Sequence, residues 1–375
     1  MRTWLASVLL FAASLVGSAA ERVLVVDRLD DDTRKPVPGM LRWALTQKGA
    51  RTVKFSVSGD IRLKSTISVR HGGLVMDGST APDRGVCIRG GSLEFEGADR
   101  VTLRYLRFRL GDETLLRRLK ADKRKRPSGS HGLDCLNFVE CDDVRLEHCS
   151  LSWSCDELLS IVRCQNMLVS DCIFSEPLGD AKLHPYGEEH AFAVNASAST
   201  LLMQRCLFAH YVMRGPQFEA NDLGRGDSRK VKMSAVDCVM FDYKHSGSRY
   251  TTGVENHPRN AKDATFDFAF KDNQYVARNS EAKAIEAVTK HGRHPGVRMV
   301  SSGNAVSQTA SDVRAPWLDT VGCSHQRDAA DARILDDVFD SRFRDTLRSQ
   351  SRVGGWPPLD GSERPGLLRF LARIR

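Results

Sequence analysis

A 23-residue repeat constrains this chain more than any other feature of its sequence. Cys141 and Cys149 are followed by Cys164 and Cys172 at that spacing, within matching stretches that open at Asp134 and Asp156. The frame returns upstream with Ala98 in the place of Cys141. It returns downstream around Cys206 and Cys238, and then with Asn273 and Asn304 at the cysteine place. Each unit holds short alternating apolar runs, such as Val144 and Leu146 followed by Cys149 and Leu151. Such alternation signals strands. Units of this length cannot bury an apolar face alone, so they stack. The expectation is an all-β fold, a single-stranded right-handed parallel β-helix with coils about 4.8 Å apart. Its core is continuous, so 375 residues need not mean several domains.

The repeat turns the cysteines into an internal ladder. Buried thiols pack well in such a stack, and the coil spacing also suits disulfides, whose Cα separation is about 4.4–6.8 Å. Both readings stand at this point. No C-x-x-C pair occurs among the ten cysteines, which argues against a zinc site.

The first 20 residues read as a secretory signal peptide: Arg2, an apolar stretch from Trp4 to Val16, then Ser18-Ala19-Ala20 for cleavage. That stretch is short for a membrane span. The mature domain is then residues 21–375, secreted, monomeric, with no stable membrane insertion. Its net charge of +8 favours acidic partners. Export points to an extracellular polyanion and away from nucleic acid. The segment 40–48 reads as a short amphipathic helix capping the stack just before VKFSVSG, taken as the first strand. The tail, 366–375, reads as another helix, and Arg327–Asp328 and Asp331–Arg333 read as ion pairs of a C-terminal wrap.

Several segments in order carry a resemblance: LRWALTQKGARTVKFSVSGDIRL, VTLRYLRFRLGDE, LEHCSLSWSCDELLSI, CIFSEPL, CLFAHYVMRGP, VGCSHQRDAADARILDDV and SRVGGWPPL. From about residue 38 to 358 the chain resembles the bacterial pectate lyases of the parallel β-helix class, polysaccharide lyase family 1 and its close relatives. The resemblance implies β-elimination on polygalacturonate or a related uronate-rich polysaccharide. The C5 proton leaves beside the uronate carboxylate, and the C4 oxygen departs. It implies Ca2+ as the cofactor, with Asp134 and Asp156 as ligands, and Arg214, in MRGP, as the catalytic arginine. Arginine is ordinarily protonated far above neutral pH. It therefore acts as a base only in a strongly perturbing site or at high pH, and otherwise steadies the developing negative charge.

Asp134 and Asp156 are 22 residues apart, one coil by the repeat, and stacked carboxylates repel unless a cation lies between them. Glu157 is placed to assist. Ser160 and Gly132 stand where relatives often carry acids. A second arginine is replaced by Gln217-Phe218-Glu219. A His-x-Lys-Gly turn becomes His184-Pro185-Tyr186-Gly187, leaving Lys182 as a substitute substrate-binding lysine. The run 116–126 holds seven basic residues and one acid, either an extra grip on uronate units or a solvated loop. His148, His210 and His245 lack metal-like spacing. Two other classes stay open: a non-catalytic module that binds acidic polysaccharide, and a β-helical glycoside hydrolase. The second needs a paired acid and base that the sequence does not display.

Overall fold

The structure, a computed structural model, describes residues 22–113, 116, 133–180, 184, 187–220, 229–253, 263–289, 293–307, 313, 315–323 and 328–339. The leader 1–20, Lys182, Gly132, the basic run beyond Leu116 and the tail 366–375 lie outside these residues.

The chain winds as a parallel β-helix with three faces. One column of the first face reads Leu74, Val101, Val144, Met167, Leu201, Met233, Phe268 and Met299, each in register with the next. The second face stacks Phe108, Leu151, Phe174, Phe208 and Met240. The third stacks Leu93, Leu136, Leu159 and Val194. Because side chains alternate across a strand, these columns point inward and their neighbours outward. Like residues meet like one coil on. The Phe95 and Phe138 rings lie 4.6 Å apart and those of Phe174 and Phe208 5.1 Å, a distance at which offset aromatic pairs attract.

A fixed corner joins the first face to the second. Tyr105, His148, Asp171, Arg205, Asp237 and Asp272 all have positive φ, from 49° to 56°. The residue after this turn faces inward, and there the ladder stands. Cys149 N donates to Cys172 Sγ at 3.4 Å, as Cys141 N does to Cys164 Sγ at the other ladder. Where the thiols run out, asparagine continues the pattern. Cys238 N donates to Asn273 Oδ1 at 2.9 Å, and Asn273 N to Asn304 Oδ1 at 2.9 Å. All ten cysteines are free and buried. Each ladder sulfur works as a hydrogen-bonding group in a filled corner. Burial pushes the Cys149, Cys206 and Cys238 thiols well up, away from the thiolate that disulfide exchange requires.

Both ends are covered. Helix α1, Leu41–Leu45, is shorter than the 40–48 expected from sequence. The strand Arg22–Val26 precedes it and pairs with Arg51–Phe55, so VKFSVSG opens the second coil rather than the first. The buried Arg51 guanidinium donates to the carbonyls of Ala44, Leu45, Gly49, His71 and Gly72, tying α1 to the first coils. Helix α2, Ala329–Phe339, lays Ile334 and Leu335 against Ile173, Leu207 and Val239 of the second face. The acids of this wrap reach strand arginines rather than their sequence neighbours. Arg109 lies 2.9 Å from Asp331 and 3.3 Å from Asp328, a buried anchor for the helix. Among the described residues no helix is long and apolar enough to cross a membrane.

Candidate active site

The third face begins at its strand starts with charge. Leu136 pairs with Leu159, so the register continued two residues back sets Asp134 opposite Glu157. Glu157 N confirms that placement by donating to Asp134 Oδ1 at 3.0 Å. The coil is 23 residues long and not 22, so Glu157 stacks on Asp134, while Asp156 stands beside them. One oxygen from each of Asp134, Asp156 and Glu157 falls within 4.8 Å of the others, and all three residues are buried.

Such a cluster resists full ionisation. Burial, then Glu157 and Asp156, push the Asp134 carboxyl well above its usual range. Burial pushes Glu157 to about 8 against the pull of Arg214. Asp156 goes the other way: burial raises it, but hydrogen bonds from His184 and Glu157 outweigh that and hold it low. An excess of buried oxygens, two of them driven toward their protonated forms, fits a hard divalent cation, which calcium is.

The next coil supplies the positive charge. Arg214, with φ of 68°, precedes the strand Gln217–Phe218 and bonds Glu157 Oε1. Its guanidinium carbon lies 4.1 Å from the centre of the Phe192 ring, which stands in register with Glu157. A ring face below and a carboxylate at one side fix the guanidinium plane. Asp134, Asp156 and Arg214 thus come together as the sequence implied; Lys182 lies outside the described residues.

Two histidines complete the corner. His184 Nε2 is 3.2 Å from Asp156 Oδ2, and the His184 and His190 rings stack at 3.5 Å with planes 9° apart. Burial holds His190 below the usual imidazole range. Sequence spacing did not reveal them, because the turn between them follows no strand or helix period.

Beyond this corner the outward row of the third face runs Glu94, Asn137, Ser160, Asn195, Gln217, Arg249 and Glu286, coil by coil. Ser160 keeps its place in this row as a neutral member. Arg249 occupies the same level one coil after Gln217. Burial and the nearby Arg214 charge hold its guanidinium below its usual range, while Glu286 lies 3.3 Å away. The second arginine missing around Gln217 therefore has a counterpart a full coil later. A window of neighbouring sequence could not find it, whereas counting one coil on from Gln217 does.

No family model matches the chain. A probable pectate lyase C of Aspergillus oryzae is 31% identical over 377 residues, covering 95% of this chain and 82% of that protein. Another from Aspergillus fumigatus is 31% identical, with 92% and 79% covered. A third, from Emericella nidulans, is 25% identical, with 95% and 80% covered. All three are fungal, so the relatives do not support the bacterial affiliation expected from the motifs. Among solved structures, the major allergen of cedar pollen overlays with a TM-score of 0.49 at 15% identity, covering 85% of this chain and 89% of that one.

Proposed function

The chain belongs to the pectate lyase family, and from that premise we propose that it is a secreted lyase cleaving polygalacturonate, or a related uronate-rich polysaccharide, by calcium-assisted β-elimination. The observation that carries this reading is the stacking of buried Asp134 and Glu157 beside Asp156, with Arg214 pinned against them. Asp134, Asp156 and Glu157 would hold the calcium ion. When bound, the ion would draw charge from the uronate carboxylate and make the C5 proton easier to remove.

The chain's own residues divide the rest of the work. Arg214 rests as the partner of Glu157, with its flat face on Phe192. In that state its charge steadies the enolate-like anion that forms as the C5 proton leaves. It takes the proton itself only once Glu157 turns to other partners and the pH is high, because a paired carboxylate favours the charged guanidinium. Arg249, next to Arg214 in the outward row, grips a neighbouring uronate carboxylate. Asn195 and Gln217, bonded to each other at 3.1 Å, offer amides to sugar hydroxyls. Lys182 adds a further grip by the same resemblance.

The test follows ultraviolet absorbance while the mature protein acts on polygalacturonate at alkaline pH, with calcium and then with chelator. A signal from the unsaturated product that chelator abolishes is the expected result. Sugar release without it means hydrolysis. No reaction on any uronate polymer leaves a binding module.

A further inference from the structure

We propose that Asp156, His184 and His190 form a second metal position, selective for a borderline transition-metal ion of the zinc class and distinct in chemistry from the all-oxygen calcium cluster beside it. One ligand atom from each of the three lies within 4.8 Å of the others. The lack of cysteine pairs argues against a thiolate zinc site, and this site uses none.

The donor set decides the class of ion. Two imidazole nitrogens and one carboxylate suit zinc, cobalt or nickel, whereas calcium prefers oxygens throughout. Distances agree. Two ligands bound tetrahedrally at zinc bond lengths sit about 3.3 Å apart, and His184 Nε2 lies 3.2 Å from Asp156 Oδ2. The second imidazole is oriented for the task. His190 Nδ1 lies 3.2 Å from the Glu188 carbonyl oxygen. A carbonyl can only accept, so Nδ1 carries the hydrogen and Nε2 keeps its lone pair. A backbone carbonyl fixing the tautomer of a ligating histidine is a recurrent outer-shell arrangement. The rings also stack at 3.5 Å, keeping both imidazoles at the same corner. Three protein ligands leave a tetrahedral position open. Asp156 belongs to both clusters through its two oxygens, so filling one position changes the charge seen by the other.

The inference stands apart from the lyase reading, and so does its test. The mature protein is stripped with chelator and titrated with Co2+, followed by visible absorbance. Zn2+, Ca2+ and Mg2+ then compete. The expected result is one Co2+ per chain with a tetrahedral-type spectrum, displaced by Zn2+ at far lower concentration than by Ca2+. His190→Gln, at the less buried histidine, weakens Co2+ binding by at least about tenfold with an unchanged circular dichroism spectrum. His184→Ala does the same if it folds, and the His190 variant decides the matter if it does not. Binding that His190→Gln leaves intact overturns the proposal. So does displacement by Ca2+ as readily as by Zn2+, which would put the ion among Asp134, Asp156 and Glu157. A near-ultraviolet thiolate-to-cobalt band also overturns it, by placing the ion on cysteine. Co2+ binding by a protein inactive on every uronate polymer supports this site and removes the lyase reading alone.

Discussion

The same coils carry two ladders at different corners, and they obey opposite physics. At the turn between the first and second faces, Cys149, Cys172, Cys206 and Cys238 stack, followed by Asn273 and Asn304. Each group is neutral, and a backbone N–H of one coil meets an acceptor on the next. At the start of the third face, Asp134 stacks on Glu157 with Asp156 alongside. Repeating a neutral hydrogen-bonding group down a stack satisfies one more buried polar atom per coil. Repeating a charge adds repulsion per coil, which only an opposite charge relieves. The first ladder holds the stack together. The second leaves the fold short of a cation at a place where substrate can arrive.

The sharpest way to break this contrast is at the charged corner. Arg214→Ala should lower the rate on polygalacturonate by about 10²–10³-fold, the usual loss when a charge-stabilising group is removed. Its circular dichroism spectrum should stay unchanged. A residual rate within tenfold of the parent would move the reacting group elsewhere. Asp134→Asn keeps an oxygen for Glu157 N while removing one buried negative charge. Its activity should fall with calcium present, yet its melting temperature in chelator should rise by about 2 °C. A lower melting temperature would mean that the cluster is not strained. At the neutral corner the sign reverses. Asn273→Ala orphans the Cys238 N–H and the Ala235 carbonyl, which bonds Asn273 Nδ2 at 3.0 Å. It should cost about 2–4 kcal/mol in denaturant unfolding, whereas Cys206→Ala should cost less, about 1–2 kcal/mol.

The smallest effect is a pH dependence. The Glu157 carboxyl is raised to about 8 by burial, above its unfolded value near 4.5. Between those two values the folded state holds a proton that the unfolded chain has released. In chelator, stability should therefore be full below the unfolded value, fall as pH rises toward 8 and level off above it. Glu157→Gln should flatten that slope. Unfolding midpoints measured across this range in both proteins decide the point.

Much of this was legible in the sequence, for a physical reason. A stacked coil writes its period into the chain, so Cys141 and Cys164 reveal the fold. Counting the same period also locates Glu157 opposite Asp134, once 23 rather than 22 residues is used. The coils are unequal, however. Val101 and Val144 are register partners although 43 residues separate them, because a long insertion leaves the stack between them. Arg249 is brought beside Arg214 across such an interval, so local motif spacing passes over it. His184 and His190 meet through a turn with no period at all. Inward-facing positions follow the repeat and can be read from it, whereas the residues that touch ligands come from where the repeat is interrupted.

The Arg51 plug gives the molecule a direction. One guanidinium gathers five carbonyls at the first coils, while at the far end Val300 and Val306 are left about half or more exposed. A stack sealed at one end and open at the other loses order like a coil of rope paid out from its free end. Amide hydrogen exchange should thus form a gradient along the axis, fastest in Val297–Ser302 and slowest near Arg51–Phe55. Force applied at the two termini should peel coils off from the C-terminal side, one step per coil. The active corner, built from coils in the middle of the stack, would outlast the first of those steps.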